Sequence, residues 1–112
     1  MPRKNRLKKK KDFERILKEG KCFFEEGLFL KIIENQLNFP RFGIVVGKKI
    51  SKKAVLRNKL KRRLREILRK KLAQIKNVDG VLVAKKGLEN KNFKDLEEIL
   101  ERLLFKAQIK KT

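Results

Sequence analysis

The stretch Lys48-Lys49-Ile50-Ser51-Lys52-Lys53-Ala54-Val55-Leu56-Arg57-Asn58-Lys59-Leu60-Lys61-Arg62-Arg63-Leu64-Arg65-Glu66 decides how this chain is read. Within it and just beyond, Leu56, Leu60, Leu64, Ile67 and Leu68 recur at steps of three and four residues. That is the period of a helix with one buried stripe, and it predicts a helix from Ser51 to Ala73. At about 100° of rotation per residue, Asn58, Arg62, Arg65 and Arg69 fall within about 60° of one another on the outward side. Arg57 and Lys61 lie along the border. The helix carries a ridge of guanidinium groups, whose planar forks suit phosphates and base edges better than ammonium point charges do.

Working outward from the helix, 34 Lys and Arg stand against 13 Asp and Glu, a formal net charge of +21 over 112 residues. Self-repulsion of that size opposes compaction, so a polyanionic partner is expected to offset it. Hydrophobic residues still make up 40% of the chain, too many for a disordered basic tail. The length suits one domain, 1–112, opened by a basic and potentially flexible arm over residues 1–11.

The coarse reading has the order α-β-β-α-β-α, an α+β domain. Asp12 offers an N-cap and Gly20 a stop for a first helix of about two turns, with Phe13, Ile16 and Leu17 on one face. Cys22 to Glu34 reads as one strand with Gly27 as a bulge, antiparallel to a second at Phe42-Gly43-Ile44-Val45-Val46. Asn77-Val78-Asp79-Gly80 reads as a turn before a short strand at Val81-Leu82-Val83-Ala84. Asn92, with Asp95 three residues on, predicts the cap of a last helix whose apolar face runs from Phe93 through Leu96, Ile99, Leu100, Leu103 and Leu104 to Ala107.

Chemistry of the chain's own is not expected. Histidine is absent, and Cys22 is the only cysteine, read as a small buried hydrophobe in a reducing compartment. No glycine-rich phosphate loop appears. Glu97, Glu98 and Glu101 suit i,i+4 pairing on the last helix better than a metal site. No apolar run reaches the roughly 20 residues of a membrane helix, nor does a secretory pattern follow the N-terminus. These readings predict a cytoplasmic protein without catalytic residues, metal or bound cofactor.

The central helix resembles that of the protein subunit of bacterial ribonuclease P. That family carries a pattern close to Lys-Lys-x-Gly-x-Ala-Val-x-Arg-Asn-Arg-x-Lys-Arg-x-x-Arg. Lys48, Lys49, Ala54, Val55, Arg57, Asn58, Lys61, Arg62 and Arg65 stand in matching roles here. Arg6-Leu7-Lys8 with Asp12-Phe13, then Gly20-Lys21 and Gly43-Ile44-Val45-Val46, extend the resemblance over nearly the full length. Lys59 takes the place of the third motif residue, Ser51 that of the glycine, and the loop before Arg57 is one residue longer.

The resemblance implies a two-layer α/β sandwich with a left-handed β-α-β crossover, a handedness that pattern alone would not predict. It also implies a partner, the catalytic RNA subunit, contacted through Arg57, Asn58, Lys59, Lys61, Arg62, Arg65 and Arg69. A second partner is the 5′ leader of precursor tRNA, in a cleft near Phe13, Leu17, Lys31, Lys48 and Lys49. Magnesium-dependent hydrolysis would belong to the RNA, with no protein partner implied. Phe13 is the one aromatic expected in that cleft; Leu17 and Lys31 stand where aromatics are frequent. A ribosomal protein or general RNA chaperone is the main alternative, and a protein-only nuclease the second.

Overall fold

The run from Cys22 to Glu34 folds as two strands joined by a tight turn, not as one strand with a bulge. In the computed structural model, which describes residues 1–111, strand β1 (Lys21–Glu25) and strand β2 (Leu28–Glu34) pair antiparallel with Glu25 opposite Leu28. The connection is two residues, Glu26 at φ 38° and Gly27 at φ 85°. Two successive positive φ values define the hairpin turn whose twist matches that of its strands. Glycine adopts this conformation freely, and Glu26 is carried along with it.

The remaining elements are helix α1 (Lys10–Glu19), strand β3 (Arg41–Val46), helix α2 (Ala54–Lys71), strand β4 (Val78–Ala84) and helix α3 (Phe93–Ala107). The order is thus α-β-β-β-α-β-α, one strand more than the sequence pattern predicts. In the sheet it becomes β1-β2-β4-β3. Strands β2 and β3 do not pair with each other, as the pattern had suggested; β4 lies between them, antiparallel to β2 and parallel to β3. Helix α2 joins the parallel pair.

Strand β4 begins three residues earlier than expected. Val78, Asp79 and Gly80 read as a turn in sequence, yet long-range partners hold them extended. Asp79 receives Arg41 from β3 and Asn35 from the loop after β2. Gly80 lies under the ring of Phe42, where an added Cβ would come within 2.7 Å of Phe42 Cε1.

The helix ends follow local chemistry only in part. Asn92 caps α3 as expected, its Oδ1 accepting from the Asp95 N–H at 2.8 Å. Asp12 does not cap α1; Lys9 holds that position, and Asp12 sits inside the first turn, where its charge suits the helix dipole. Helix α1 is ten residues long, nearer three turns than two. It stops at Gly20, where a Cβ would lie 2.5 Å from the Ile16 carbonyl oxygen.

The α+β class and the helix-on-sheet sandwich stand. The main core lies between one face of the sheet, with Leu28, Leu30, Phe42 and Leu82, and the stripes of α2 and α3, with Leu64, Ile67, Leu68, Leu96, Leu100, Leu103 and Leu104. On the opposite face a smaller cluster gathers Leu7, Ile16 and Val81, with Phe13, Ile33, Val45 and Val83 partly covered. Cys22 is exposed rather than buried, because β1 is an edge strand and α1 does not reach it. Glu101 finds its partners across the fold, Lys71 of α2 at 2.5 Å and Lys110, rather than along α3. None of the helices is long and apolar enough to cross a membrane among the described residues.

Candidate nucleic-acid interface

Helix α2 buries Leu60, Leu64, Ile67 and Leu68 against the sheet, which turns its other sides outward. Leu56, expected on the buried stripe, is 38% exposed, and Val55 is 76% exposed, while Ile50 in the preceding loop is buried in the main core. Arg57 ties that loop down by donating from Nη1 to the Ser51 carbonyl at 2.8 Å. Asn58, Lys59 and Arg62 are exposed, and Lys61 and Arg65 half-buried. No carboxylate pairs with Arg62 or Arg65 among the described residues.

Arg69 differs from the rest of the ridge. Its guanidinium grips Glu66 through two hydrogen bonds, Nη2 to Oε1 at 2.5 Å and Nε to Oε2 at 3.1 Å. These bonds draw the Glu66 carboxyl below its ordinary pKa and raise that of Arg69. The sequence ridge of four is therefore an open group, Asn58, Arg62 and Arg65, with Arg69 already engaged. Arg63, on the other flank, donates to the Lys91 carbonyl at 3.1 Å.

The second group lies on the sheet face beneath α1. Phe13 presses onto β3, where a Cβ at Gly43 would sit 2.3 Å from its ring. Leu17 is partly exposed one turn on. Lys31 of β2 donates from Nζ to the Leu17 carbonyl at 2.5 Å, so its ammonium satisfies the C-terminal end of α1. Phe13, Leu17 and Lys31 are thus brought together. Lys48 and Lys49 are exposed in the turn after β3 and make no hydrogen bond or ion pair with the other three among the described residues.

Sequence reasoning missed the aromatics at that end of the sheet. Phe29 stands two residues before Lys31 and so on the same face. Phe24 is its register partner on β1, their ring centroids 4.6 Å apart, and Phe24 is 49% exposed. Lys85, just past β4, holds its Nζ 5.4 Å from the Phe29 ring centroid. The signal that could have found them was the period of two, counted back from Lys31. Treating Gly27 as a bulge hid the register.

A buried ion pair fixes this face. Asp79 accepts Arg41 Nε at 2.9 Å and Nη2 at 2.6 Å, and Asn35 Nδ2 at 2.9 Å. Burial pushes its carboxyl up, but the bonds from Arg41 and Asn35 outweigh that and hold it below its ordinary value. Arg41 in turn reaches Asp12 of α1 at 3.9 Å, so one guanidinium spans β3, β4 and α1. No three thiol or carboxylate groups converge as a metal site would require, among the described residues.

Comparison with known proteins follows from this geometry. The sequence model of the family described as Ribonuclease P matches residues 1–108. The ribonuclease P protein component of Pseudanabaena sp. (strain PCC 6903) is 37% identical over 111 residues, covering 97% of this chain and 96% of that one. Its counterpart from Streptococcus pneumoniae (strain Hungary19A-6) is 37% identical over 110 residues, covering 97% and 89%. Among solved structures, the RNase P protein of Staphylococcus aureus superimposes with a TM-score of 0.88 at 31% identity, over 94% of this chain and 96% of that one. The RNase P protein of Thermotoga maritima does so at 0.82 and 38% identity, over 90% and 96%.

Proposed function

Since this chain belongs to the ribonuclease P protein family, as a component of the tRNA-processing ribonucleoprotein, we propose that α2 docks on the catalytic RNA while the sheet face beneath α1 holds the 5′ leader of precursor tRNA. The observation that carries the reading is the open group on α2: Asn58, Arg62 and Arg65 on one side, with no acidic partner for either arginine among the described residues. Arg57, Lys59 and Lys61 extend it along the helix. Rigid guanidinium forks on a helix match the irregular phosphate surface of folded RNA by shape.

On the leader side, Phe13, Phe29 and Phe24 offer aromatic faces for bases, and Lys48, Lys49 and Lys85 offer charge to the backbone. Base stacking on an aromatic side chain contributes about 1–3 kcal/mol per base without demanding a sequence. This suits a leader that differs from one precursor to the next. Lys31 and Leu17 act here through α1 rather than through the nucleic acid.

In this division of labour the protein neutralises phosphate repulsion and positions the substrate. The RNA subunit holds magnesium and directs hydrolysis of the phosphodiester at the mature 5′ end. A chain without imidazole suits the accessory part. Reconstitution with a ribonuclease P RNA at low magnesium tests the proposal: the protein should restore cleavage of precursor tRNA and be inactive alone. Indifference of the RNA to the protein would favour a ribosomal protein or RNA chaperone, and cleavage by the purified protein alone a protein nuclease.

A further inference from the structure

The N-terminal arm is tied along the free edge of β3. Asn5 donates from Nδ2 to the Pro40 carbonyl at 2.7 Å, and the Leu7 N–H donates to the Phe42 carbonyl at 3.0 Å. Arg6 bridges to Phe42 in parallel register. Asn5 and Leu7 are both buried, so alternation turns Arg6 between them outward. Arg6 Nε donates to the Met1 carbonyl at 3.2 Å, and its two terminal nitrogens have no partner among the described residues.

Arg6 lines a narrow cleft of about 80 Å³ together with Arg65 of α2. Phe13, Gly43 and Ile44 form the apolar wall, and no carboxylate lines the cleft. Glu66, the neighbouring acid on α2, is held by Arg69. Two arginines therefore line one small hollow that no carboxylate lines. The hollow is on the scale of one phosphate group rather than of a stacked nucleotide. It lies where the open side of α2 meets the ring of Phe13.

From this we infer a phosphodiester site, formed jointly by Arg6 and Arg65, that grips one phosphate of the catalytic RNA at the margin where the open side of α2 meets the face beneath α1. The inference rests on the function proposed above. It makes the arm a working part of the RNA surface: Arg6 supplies the second fork that Arg65 lacks on its own helix.

The test is a double-mutant cycle on the reconstituted holoenzyme, with the protein's affinity for the ribonuclease P RNA measured across a salt series. Arg6→Ala and Arg65→Ala should each weaken binding about tenfold, in the range of a charged hydrogen bond. Each should flatten the salt slope by roughly one phosphate contact, about 0.7–0.9 units. The double variant should lose little more than either single one, because both arginines hold the same phosphate. Arg6→Lys should recover the slope but not the full affinity. Arg3→Ala, exposed on the same arm but outside the cleft, controls for general charge. Additive losses, or an Arg6→Ala no weaker than Arg3→Ala, would overturn the site while Arg65→Ala still impairs binding. If neither Arg65→Ala nor Arg62→Ala affects RNA binding, it is the proposed function itself that fails.

Discussion

The two faces of the sheet are built on different principles. Against α2 and α3 the sheet makes a thick aliphatic core of fully covered side chains. Against α1 it buries three, and leaves Phe13, Val45 and Val83 half-covered and Phe24 open. What the second face lacks in apolar burial it offsets with a directed polar link, Arg41 between Asp79 and Asp12. Under the proposed function, the leader is received on the face that leaves its aromatics open, while the face against α2 and α3 carries most of the stability.

The comparison is most sharply tested by truncating each side. Leu64→Ala, at a fully buried position of the main core, should cost about 3–5 kcal/mol in denaturant unfolding, the range for a leucine cavity that cannot collapse. Asp79→Ala should cost about 3 kcal/mol, since it leaves the guanidinium of Arg41 without its buried partner. Unlike Leu64→Ala, it should also weaken leader binding in the folded protein by loosening α1.

The same carboxylate sets a pH dependence. Its folded pKa lies below the ordinary 3.8, so its contribution is fully present above that value and is lost as pH falls through the folded pKa. Stability measured from pH 6 down to pH 3 should therefore decline at the acid end. Arg41→Gln should abolish or reverse that decline, because an unpaired buried carboxyl favours its neutral form.

Smaller effects separate recognition from folding. Phe29→Ala should reduce leader affinity by about 1–3 kcal/mol while leaving the affinity for the RNA subunit unchanged. Arg62→Ala should cost about 1–3 kcal/mol in RNA-subunit binding, with a flatter salt slope. Arg69→Ala should cost least, because its fork is engaged by Glu66; equal losses for the two arginines would show that RNA displaces that carboxylate.

What could be read in the sequence follows how far each signal reaches along the chain. The helices α2 and α3 and the Asn92 cap depend on partners within four residues, and they stand as expected. The Glu26–Gly27 turn was hidden because glutamate is an unusual occupant of a left-handed position. Val78 to Gly80 looked like a turn until Arg41, Asn35 and Phe42, more than 35 residues away, supplied reasons for a strand. The open side of α2 was legible since one helix carries it whole. The engagement of Arg69 was available in the i,i+3 spacing from Glu66. Phe29 and Phe24 were not, because their face depends on a register that the hairpin sets.

The position of β4 bears on how the chain is made. It is the last strand to leave the ribosome, yet it is the one that joins the β1–β2 hairpin to β3. Until it emerges, the nascent molecule holds two sheet fragments with open edges, followed by a fully synthesised cationic helix. Such edges invite association with other chains, and the positive charge of the N-terminal arm and α2 then works to keep half-made copies apart.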